Sequence, residues 1–459
     1  MKIRRVMLAA PKSGSGKTTI TCALLQILKD QKEPVFACKC GPDYIDPMFH
    51  ETVLGIPSQN LDTFFSGEYN TRALLLKNRK ENDLIIMEGV MGLFDGLGGV
   101  REEGSSYHLA KITKTPIVLV IDAKGMGQSL LPLISGFLSY DTEHLIRGVI
   151  LNKMSKHYFS VLKPIIEKEL GIEVLGYVPE DKKGSFKSRH LGLILPKEIP
   201  GIQNQMKEIA SRINETVSVE ALKRIAEEAE EWDIQFPTKI ERFQTENAPI
   251  LAVAKDEAFC FYYKENLNLF KEYGAKLQYF SPLHDKELPN KCDGILFGGG
   301  YPELYLQELS ENKSMKKSIQ EAFANRMPFV AECGGFMYLH EWIQGKDGIK
   351  YPMVGIVEGG AYDTEKIVRF GYIELQEKAP YFLSKNGVIK GHEFHYFDST
   401  DSGAACIARK PSTGRGYECI KSGEHYFLGF PHLYYPSNPE FVEKLVQKAK
   451  EYRRRIHCK

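Results

Sequence analysis

The sequence predicts an α/β protein made of two doubly wound domains. Apolar, β-rich runs alternate with helical stretches through roughly the first 200 residues, at 6–10, 35–39, 84–87, 117–121, 148–151 and 174–178. The alternation restarts at Pro249, with strands expected at 250–254, 276–280, 294–297 and 329–331 and helices at 262–273 and 313–325. Between the two lies a charged, helix-periodic stretch, 202–232, and then a polar connector, 233–247, holding one proline, Pro237. Such alternation implies mostly parallel sheets with helices on both faces, in which ligands bind beyond the carboxyl ends of the strands. A chain of 459 residues has length for two or three cores, and the expected division is 1–200, 201–247 and 248–459.

The first run opens directly into Ala9-Ala10-Pro11-Lys12-Ser13-Gly14-Ser15-Gly16-Lys17-Thr18-Thr19, with a helix expected over 18–29. Strand, small-residue loop and helix in that order make a phosphate-binding loop. Gly14 and Gly16 let backbone N–H groups approach a triphosphate, Lys17 can neutralise the β and γ oxygens, and Thr18 can ligate Mg²⁺. Thr19 continues the first turn of a helix whose dipole favours anions at that end. The strict pattern fails once: Pro11 holds the place of its first glycine, and Lys12 follows, as in the deviant loops of partition-type ATPases. An ordinary Gly/Ser turn before a helix is the bland alternative.

The polar residues closing the later runs are the loop's expected partners. Lys39 and Cys40 lead into Gly41-Pro42-Asp43-Tyr44-Ile45-Asp46, and Met87 leads into Glu88-Gly89-Val90-Met91-Gly92-Leu93-Phe94-Asp95. Asp43, Asp46, Glu88 and Asp95 offer the hard oxygen ligands that suit Mg²⁺ bridging nucleotide phosphates. A single such Asp is more often a turn or cap residue; four at strand ends facing one loop shift the balance. Lys39 can pair with a phosphate or a substrate carboxylate. Asn152 stands after run 148–151 in the position of an adenine reader, or of a turn residue.

In the second half, run 294–297 enters Gly298-Gly299-Gly300-Tyr301, and run 329–331 enters Glu332-Cys333-Gly334-Gly335-Phe336. A cysteine on a sharp strand-to-helix turn is the thiol counterpart of a nucleophile elbow. The helix N-terminus is expected to lower the thiol pKa, the Gly334 N–H to face a developing oxyanion, and Gly299 or Gly300 to supply the second donor. A base must follow. His392, His395 and His432, from Gly391-His392-Glu393-Phe394-His395 and Pro431-His432-Leu433, are the candidates, and local pattern does not rank them.

Composition narrows the class. Lys+Arg of 60 against Asp+Glu of 59 leaves a net charge of +1, which points to neither nucleic acid nor a polyanionic surface as partner. No run of 18 apolar residues occurs, so a cytoplasmic protein without a membrane partner is the expectation. The nine cysteines are scattered and odd in number, which argues against a disulfide framework and a structural zinc. Tyr452-Arg453-Arg454-Arg455 reads as a short solvated cluster.

The motifs APKSGSGKTT, KCGPDYIDPMFH, MEGVMGLFDG, LVIDAKGMGQS and GVILNKM, then GILFGGGYPELY, VAECGGFMYL, GHEFHY and PHLYYPSNP, occur in one order over nearly the whole chain. In these it resembles the cobyrinic acid a,c-diamide synthase family of the cobalamin pathway. The resemblance implies a dethiobiotin-synthetase-like ATP domain joined to a class I glutamine amidotransferase domain. It implies ATP and Mg²⁺ as cofactors, a corrinoid acid and L-glutamine as substrates, and amidation of the a and c carboxylates through an acyl phosphate; a homodimer is left open. By the same resemblance Lys17 and Thr18 hold phosphates and Mg²⁺, and Asp43, Tyr44, Glu88 and Asp95 fall on metal and substrate positions. Cys333 and His432 fall on the nucleophile and its base, while His392 and His395 take structural or glutamine-side roles. Tyr434 stands where the family often has a second histidine and other glutaminases a glutamate, so the assignment is a dyad. Relatives with these motifs also act on hydrogenobyrinic acid or nickel-sirohydrochlorin. A partition-type ATPase switch accounts for Lys12 but not for Cys333, and a stand-alone cysteine hydrolase leaves the first half idle.

Overall fold

A computed structural model describes residues 3–77, 79–180, 188–189, 192–193, 201–232 and 247–457. The chain divides into two compact units, Met1–Phe236 and Pro237–Lys459. Most of the expected connector, 233–246, lies outside the described residues.

In the first unit the elements run β1 (Arg4–Ala9), α1 (Lys17–Asp30), β2 (Val35–Cys40), α2 (Ile45–Thr52), β3 (Ser58–Leu61), α3 (Thr63–Leu76) and β4 (Leu84–Glu88), then α4 (Ser106–Ile112), β5 (Ile117–Asp122), α5 (Leu130–Tyr140), β6 (Ile146–Asn152), α6 (Lys156–Leu170) and β7 (Glu173–Val178). The strands form one parallel sheet in the order β3-β2-β4-β1-β5-β6-β7. Val6, Met7 and Leu8 are fully buried, as a central parallel strand covered on both faces requires. With β4 on one side of β1 and β5 on the other, the loop after β1 opens at the crevice where chain order reverses. All six expected strands are present. The edge strand β3 escapes pattern reading because its sequence, Ser-Gln-Asn-Leu, carries no apolar run.

Two further helices, α7 (Ile202–Asn214) and α8 (Val219–Glu227), belong to this unit. Ser218 caps α8 by accepting from the Ala221 N–H, and the preceding turn is stitched to β7 by Ser218 N–H to Leu175 O at 2.9 Å and Tyr177 N–H to Thr216 O at 3.2 Å. The contact demands Gly176, where a Cβ would stand 2.1 Å from Thr216 O. Arg5, 1% exposed, ties the segment after α8 to the bottom of the sheet: its guanidinium donates to the carbonyls of Ile3, Thr113, Lys114 and Glu230 and lies 4.2 Å from the centre of the Trp232 ring.

The second unit is built on a six-stranded sheet ordered Lys276–Phe280, Ile250–Ala254, Gly294–Phe297, Phe329–Glu332, Tyr426–Gly429, Lys421–Gly423. Its first five strands are parallel and the last is an antiparallel partner of the fifth. The stretch between Leu339 and Lys421, for which pattern reading assigns no helix or strand, supplies strands to two further sheets; the larger runs Gly416–Cys419, Cys406–Arg409, Arg369–Glu377, Val388–His395, His432–Leu433, all antiparallel. A terminal helix, Glu440–His457, corrects the reading of residues 452–455 as solvated for Tyr452 and Arg453, while Arg454 and Arg455 are exposed as expected. Tyr452 is 7% exposed and Arg453 pairs with the buried Asp293 at 3.0 Å, because helical spacing turns them inward.

Arg5→Met keeps a similar volume but leaves buried carbonyls without a donor. It is expected to lower the stability of the first unit by about 2–4 kcal/mol, read from the urea midpoint of the full chain.

Candidate active site

The first centre gathers at the carboxyl ends of β1, β2 and β4. Gly14 and Gly16 sit at φ 76° and 91°, the left-handed backbone that turns the loop into α1. Lys17 is the first residue of α1, and Thr18 and Thr19 complete its opening turn. The loop after β4 closes against the phosphate loop: Leu93 N–H donates to Ala10 O at 2.8 Å, and a Cβ on Gly92 would meet Pro11 O at 2.7 Å. Met91, at φ 50°, presents its carbonyl to Lys17 Nζ at 2.6 Å. Asp95 accepts the Gly92 N–H at 3.0 Å and so braces that loop. Asn152 donates Nδ2 to Ser15 O at 2.8 Å, and a Cβ on Gly16 would fall 2.3 Å from that nitrogen. In this state its amide supports the loop.

Glu88 ends β4 fully buried, and both Thr18 Oγ1, at 2.5 Å, and Lys39 Nζ, at 2.8 Å, donate to its Oε1. Lys39 also lies 2.5 Å from Asp46 Oδ2 and 3.9 Å from Asp43 Oδ2. Asp43 Oδ1 accepts the N–H groups of Ile45 and Asp46, the cap role of an Asp before a helix, while its other oxygen turns toward Lys39. Tyr44, buried, precedes α2 directly.

The charges are mutually dependent. Burial alone would push the Lys39 ammonium down, but Asp46, Glu88 and Asp43 more than offset it and hold it well above the usual lysine range. Burial likewise pushes Asp46 up, and Lys39 outweighs it to keep the carboxylate low. Burial and then the charge of Asp46 push Glu88 upward. Lys17 is pushed down to about 8, by burial first and by Lys39 second.

Glu88 Oε2 has no hydrogen-bond partner among the described residues, although it is buried. That oxygen lies 3.8 Å from the buried His50 Nε2, while Oε1 takes the Thr18 hydroxyl; a buried carboxylate beside a phosphate-loop threonine is the hard-oxygen set that suits Mg²⁺. No group of three or more His, Cys, Asp or Glu that could hold a metal occurs among the described residues.

The second centre lies at the carboxyl end of the second unit's sheet. Cys333 follows strand Phe329–Glu332 at φ 46°, ψ −107°, and the short helix Gly334–Leu339 begins immediately after it. Its N–H donates to Gly429 O at 2.8 Å. A Cβ on Gly334 would lie 3.1 Å from Gly300 N, so the Gly300 backbone passes close beside the elbow. Gly299 faces His432, whose Cε1 a Cβ there would meet at 2.3 Å. Of the three candidate histidines, His432 and His392 are opposite each other in register, with rings stacked at 5.0 Å, and the Tyr263 hydroxyl lies 3.1 Å from His392 Nδ1. His395 Nδ1 is 2.6 Å from Phe397 O, and its ring stacks on Phe430 at 4.2 Å.

The expectation of a lowered thiol pKa is overturned. Burial first, and the Glu303 carboxylate second, push the Cys333 thiol well up, and the Gly334 N–H acts too weakly in the other direction to offset them. His432 is pushed down to about 3 by burial and by His395. Burial thus holds the resting pair as thiol and neutral imidazole. Sequence reasoning also passed over Glu332, whose Oε2 lies 3.9 Å from His432 Nδ1.

Two family profiles cover the chain: the CobQ/CobB/MinD/ParA nucleotide binding domain over residues 6–192 and the CobB/CobQ-like glutamine amidotransferase domain over residues 250–425. With the phosphate loop and the cysteine elbow, these define a nucleotide-binding glutamine amidotransferase. The chain is 39% identical over 456 residues to the cobyrinate a,c-diamide synthase of Caldanaerobacter subterraneus subsp. tengcongensis, covering 98% of this chain and 100% of that one. The enzymes of the same name from Listeria innocua and Fusobacterium nucleatum are 36% and 35% identical, over 98% and 96% of this chain and 100% of each of theirs. The chain belongs to the cobyrinate a,c-diamide synthase family.

Gly16→Ala adds a methyl group where φ is 91° and Asn152 is 2.3 Å away. It is expected to weaken binding of a fluorescent ATP analogue more than about tenfold with the fold intact by circular dichroism; unchanged affinity would show that the loop tolerates a side chain there.

Proposed function

We propose that this chain is an ATP- and glutamine-dependent ligase that converts the a and c side-chain carboxylates of cobyrinic acid to amides in cobalamin biosynthesis. The observation that carries the reading is the presence, in one chain, of a phosphate loop whose Thr18 and Lys39 converge on buried Glu88 and of a cysteine elbow whose turn runs beside Gly300. The cobyrinate name of the family's curated members supports the choice of macrocycle. Residues 1–200 would form the ligase domain, 201–247 the tail and connector, and 248–459 the glutaminase. A cytoplasmic setting and a homodimer belong to the same reading; no helix among the described residues is long and apolar enough to cross a membrane.

In the glutaminase, the Cys333 thiol gives its proton to His432 and the sulfur attacks the carboxamide carbon of glutamine. Backbone N–H groups of Gly300 and Gly334, with Gly299 shaping the loop, face the oxyanion. Collapse returns the proton to nitrogen and releases ammonia, leaving a glutamyl thioester that water cleaves to glutamate and the free thiol. In the ligase, a corrinoid carboxylate oxygen attacks the γ-phosphorus of ATP, releasing ADP. Ammonia then attacks the acyl carbon, displacing phosphate and losing a proton. Lys17, with Gly14, Gly16 and Thr19, cradles the phosphates, and Asn152 keeps the loop in shape beside the nucleotide. Thr18, Glu88 and Asp43 would hold Mg²⁺, which neutralises phosphate charge when bound. Lys39, ordered by Asp46 and Asp43, faces the transferring phosphate or the attacking carboxylate, with Tyr44 and Asp95 shaping the substrate side.

Cys333→Ser and His432→Ala are each expected to cut glutamine-dependent amidation by about 10²-fold or more, while high ammonia at mildly alkaline pH still drives it. Lys17→Ala should abolish both reactions. The measurement is mass spectrometry of cobyrinic acid incubated with MgATP and either nitrogen source, following two successive acid-to-amide changes. Full glutamine-dependent activity in Cys333→Ser would make the elbow structural, and loss of the ammonia reaction in the same variant would overturn the separation of the two chemistries.

A further inference from the structure

We propose that Glu332 is the positioning residue for His432: an acid supplied by the residue before the nucleophile, which fixes the imidazole and meets the charge it acquires. The inference rests on reading Cys333 and His432 as nucleophile and base. The position two residues beyond the histidine is Tyr434, which is uncharged. The sheet supplies the acid from elsewhere. Strand Phe329–Glu332 pairs in parallel with Tyr426–Gly429, and the register sets Glu332 opposite Gly429, three residues before His432. The turn at Cys333 then leaves Glu332 as the last strand residue, 6% exposed, with Oε2 3.9 Å from His432 Nδ1.

The carboxylate is held from the other side. Tyr435 donates its hydroxyl to Glu332 Oε1 at 2.7 Å. Asn266 pins the backbone that carries both His432 and Tyr435, donating Nδ2 to Leu433 O at 2.7 Å and accepting the Tyr435 N–H at 2.9 Å. One oxygen is thus fixed, and the other faces the ring. With Nδ1 turned to Glu332, Nε2 is the nitrogen left for the thiol proton. When that proton arrives, the imidazolium is buried, and an anion at this distance is what keeps a buried cation from being prohibitively costly. At rest, burial pushes Glu332 up to about 8 and His432 down to about 3, so each side disfavours an isolated charge. The other groups facing the pair are His392, stacked on His432, with Tyr263 behind it, and His395 and Glu393, which act on His432 with opposite signs.

The test uses the full chain and three readouts. Glu332→Gln keeps the shape and removes the charge. It is expected to lower kcat for glutamine hydrolysis by about 10–100-fold with KM for glutamine within about twofold, and to leave ammonia-dependent amidation unchanged. The pH dependence of Cys333 alkylation by iodoacetamide, quantified on its peptide by mass spectrometry, should move upward by about one unit or more, since the thiolate loses its stabilised imidazolium. Glu332→Asp should recover part of kcat, and Glu332→Gln combined with His432→Ala should be no worse than His432→Ala alone, because the acid acts through the histidine. Unchanged kcat and an unchanged alkylation profile in Glu332→Gln would overturn the proposal, as would equal losses in the ammonia reaction, which mark a merely structural carboxylate. Should Glu332→Gln fail to fold, Tyr435→Phe frees the carboxylate without removing it. A threefold to tenfold loss in kcat at constant KM then supports the role, and no loss overturns it. If wild type and Cys333→Ser hydrolyse glutamine equally, the reading of the centre fails; if hydrolysis needs Cys333 but not Glu332, this inference alone fails.

Discussion

The carboxylate of Glu88 is the point at which the first unit's backbone and its chemistry meet. It ends the strand beside β1, it is fully buried, and it receives both the hydroxyl of the phosphate loop and the ammonium of Lys39. A lone anion there would be expelled or protonated, because an uncompensated buried charge costs several kcal/mol. Two neighbouring carboxylates would make matters worse without Lys39 between them. The cluster therefore exists as a set: remove the ammonium and Asp46 and Glu88 repel, remove Glu88 and Thr18 loses the acceptor that orients its hydroxyl. This interdependence links α1, β2 and β4 at one spot, so a change at Thr18 is felt at Lys39 and Asp46 through Glu88.

The second unit solves a different problem. Its cysteine elbow sits on a backbone conformation that non-glycine residues avoid, at φ 46°, and strain of this kind persists only where neighbours over-determine it. Here they do: Cys333 N–H is tied to Gly429, Gly335 N–H to Gly298 O at 3.1 Å, and Gly335 is packed so close to Phe297 that a Cβ would stand 2.5 Å away. Two neighbouring strands thus hold one turn, and Gly335, two residues after the cysteine, is required by the close approach of backbone.

Both doubly wound units were legible because parallel strands buried on two faces leave continuous apolar runs, and because loops at strand ends carry the motif residues. Edge and surface strands were not: Ser58–Leu61 is polar, and Arg369–Glu377 alternates Gly, Tyr and Glu among apolar residues. Side-chain roles were legible only where local chemistry sets them. Glu332 is adjacent to Cys333 in sequence, yet its facing of His432 depends on the register of a strand almost a hundred residues downstream, which no local pattern encodes. Asn152 is recognisable by position, but its bond to Ser15 O depends on β6 lying two strands from β1. The thiol was misjudged because a helix end was weighed without the desolvation that complete burial adds.

That burial has a consequence for durability. Oxidants attack thiolates, and the ladder from sulfenic to sulfonic acid is climbed most readily by exposed cysteines of low pKa. Cys333 is 7% exposed and its thiol is pushed upward by burial, which keeps it protonated. A peroxide therefore meets a buried, protonated sulfur, which reacts more slowly than an exposed, pre-ionised thiolate.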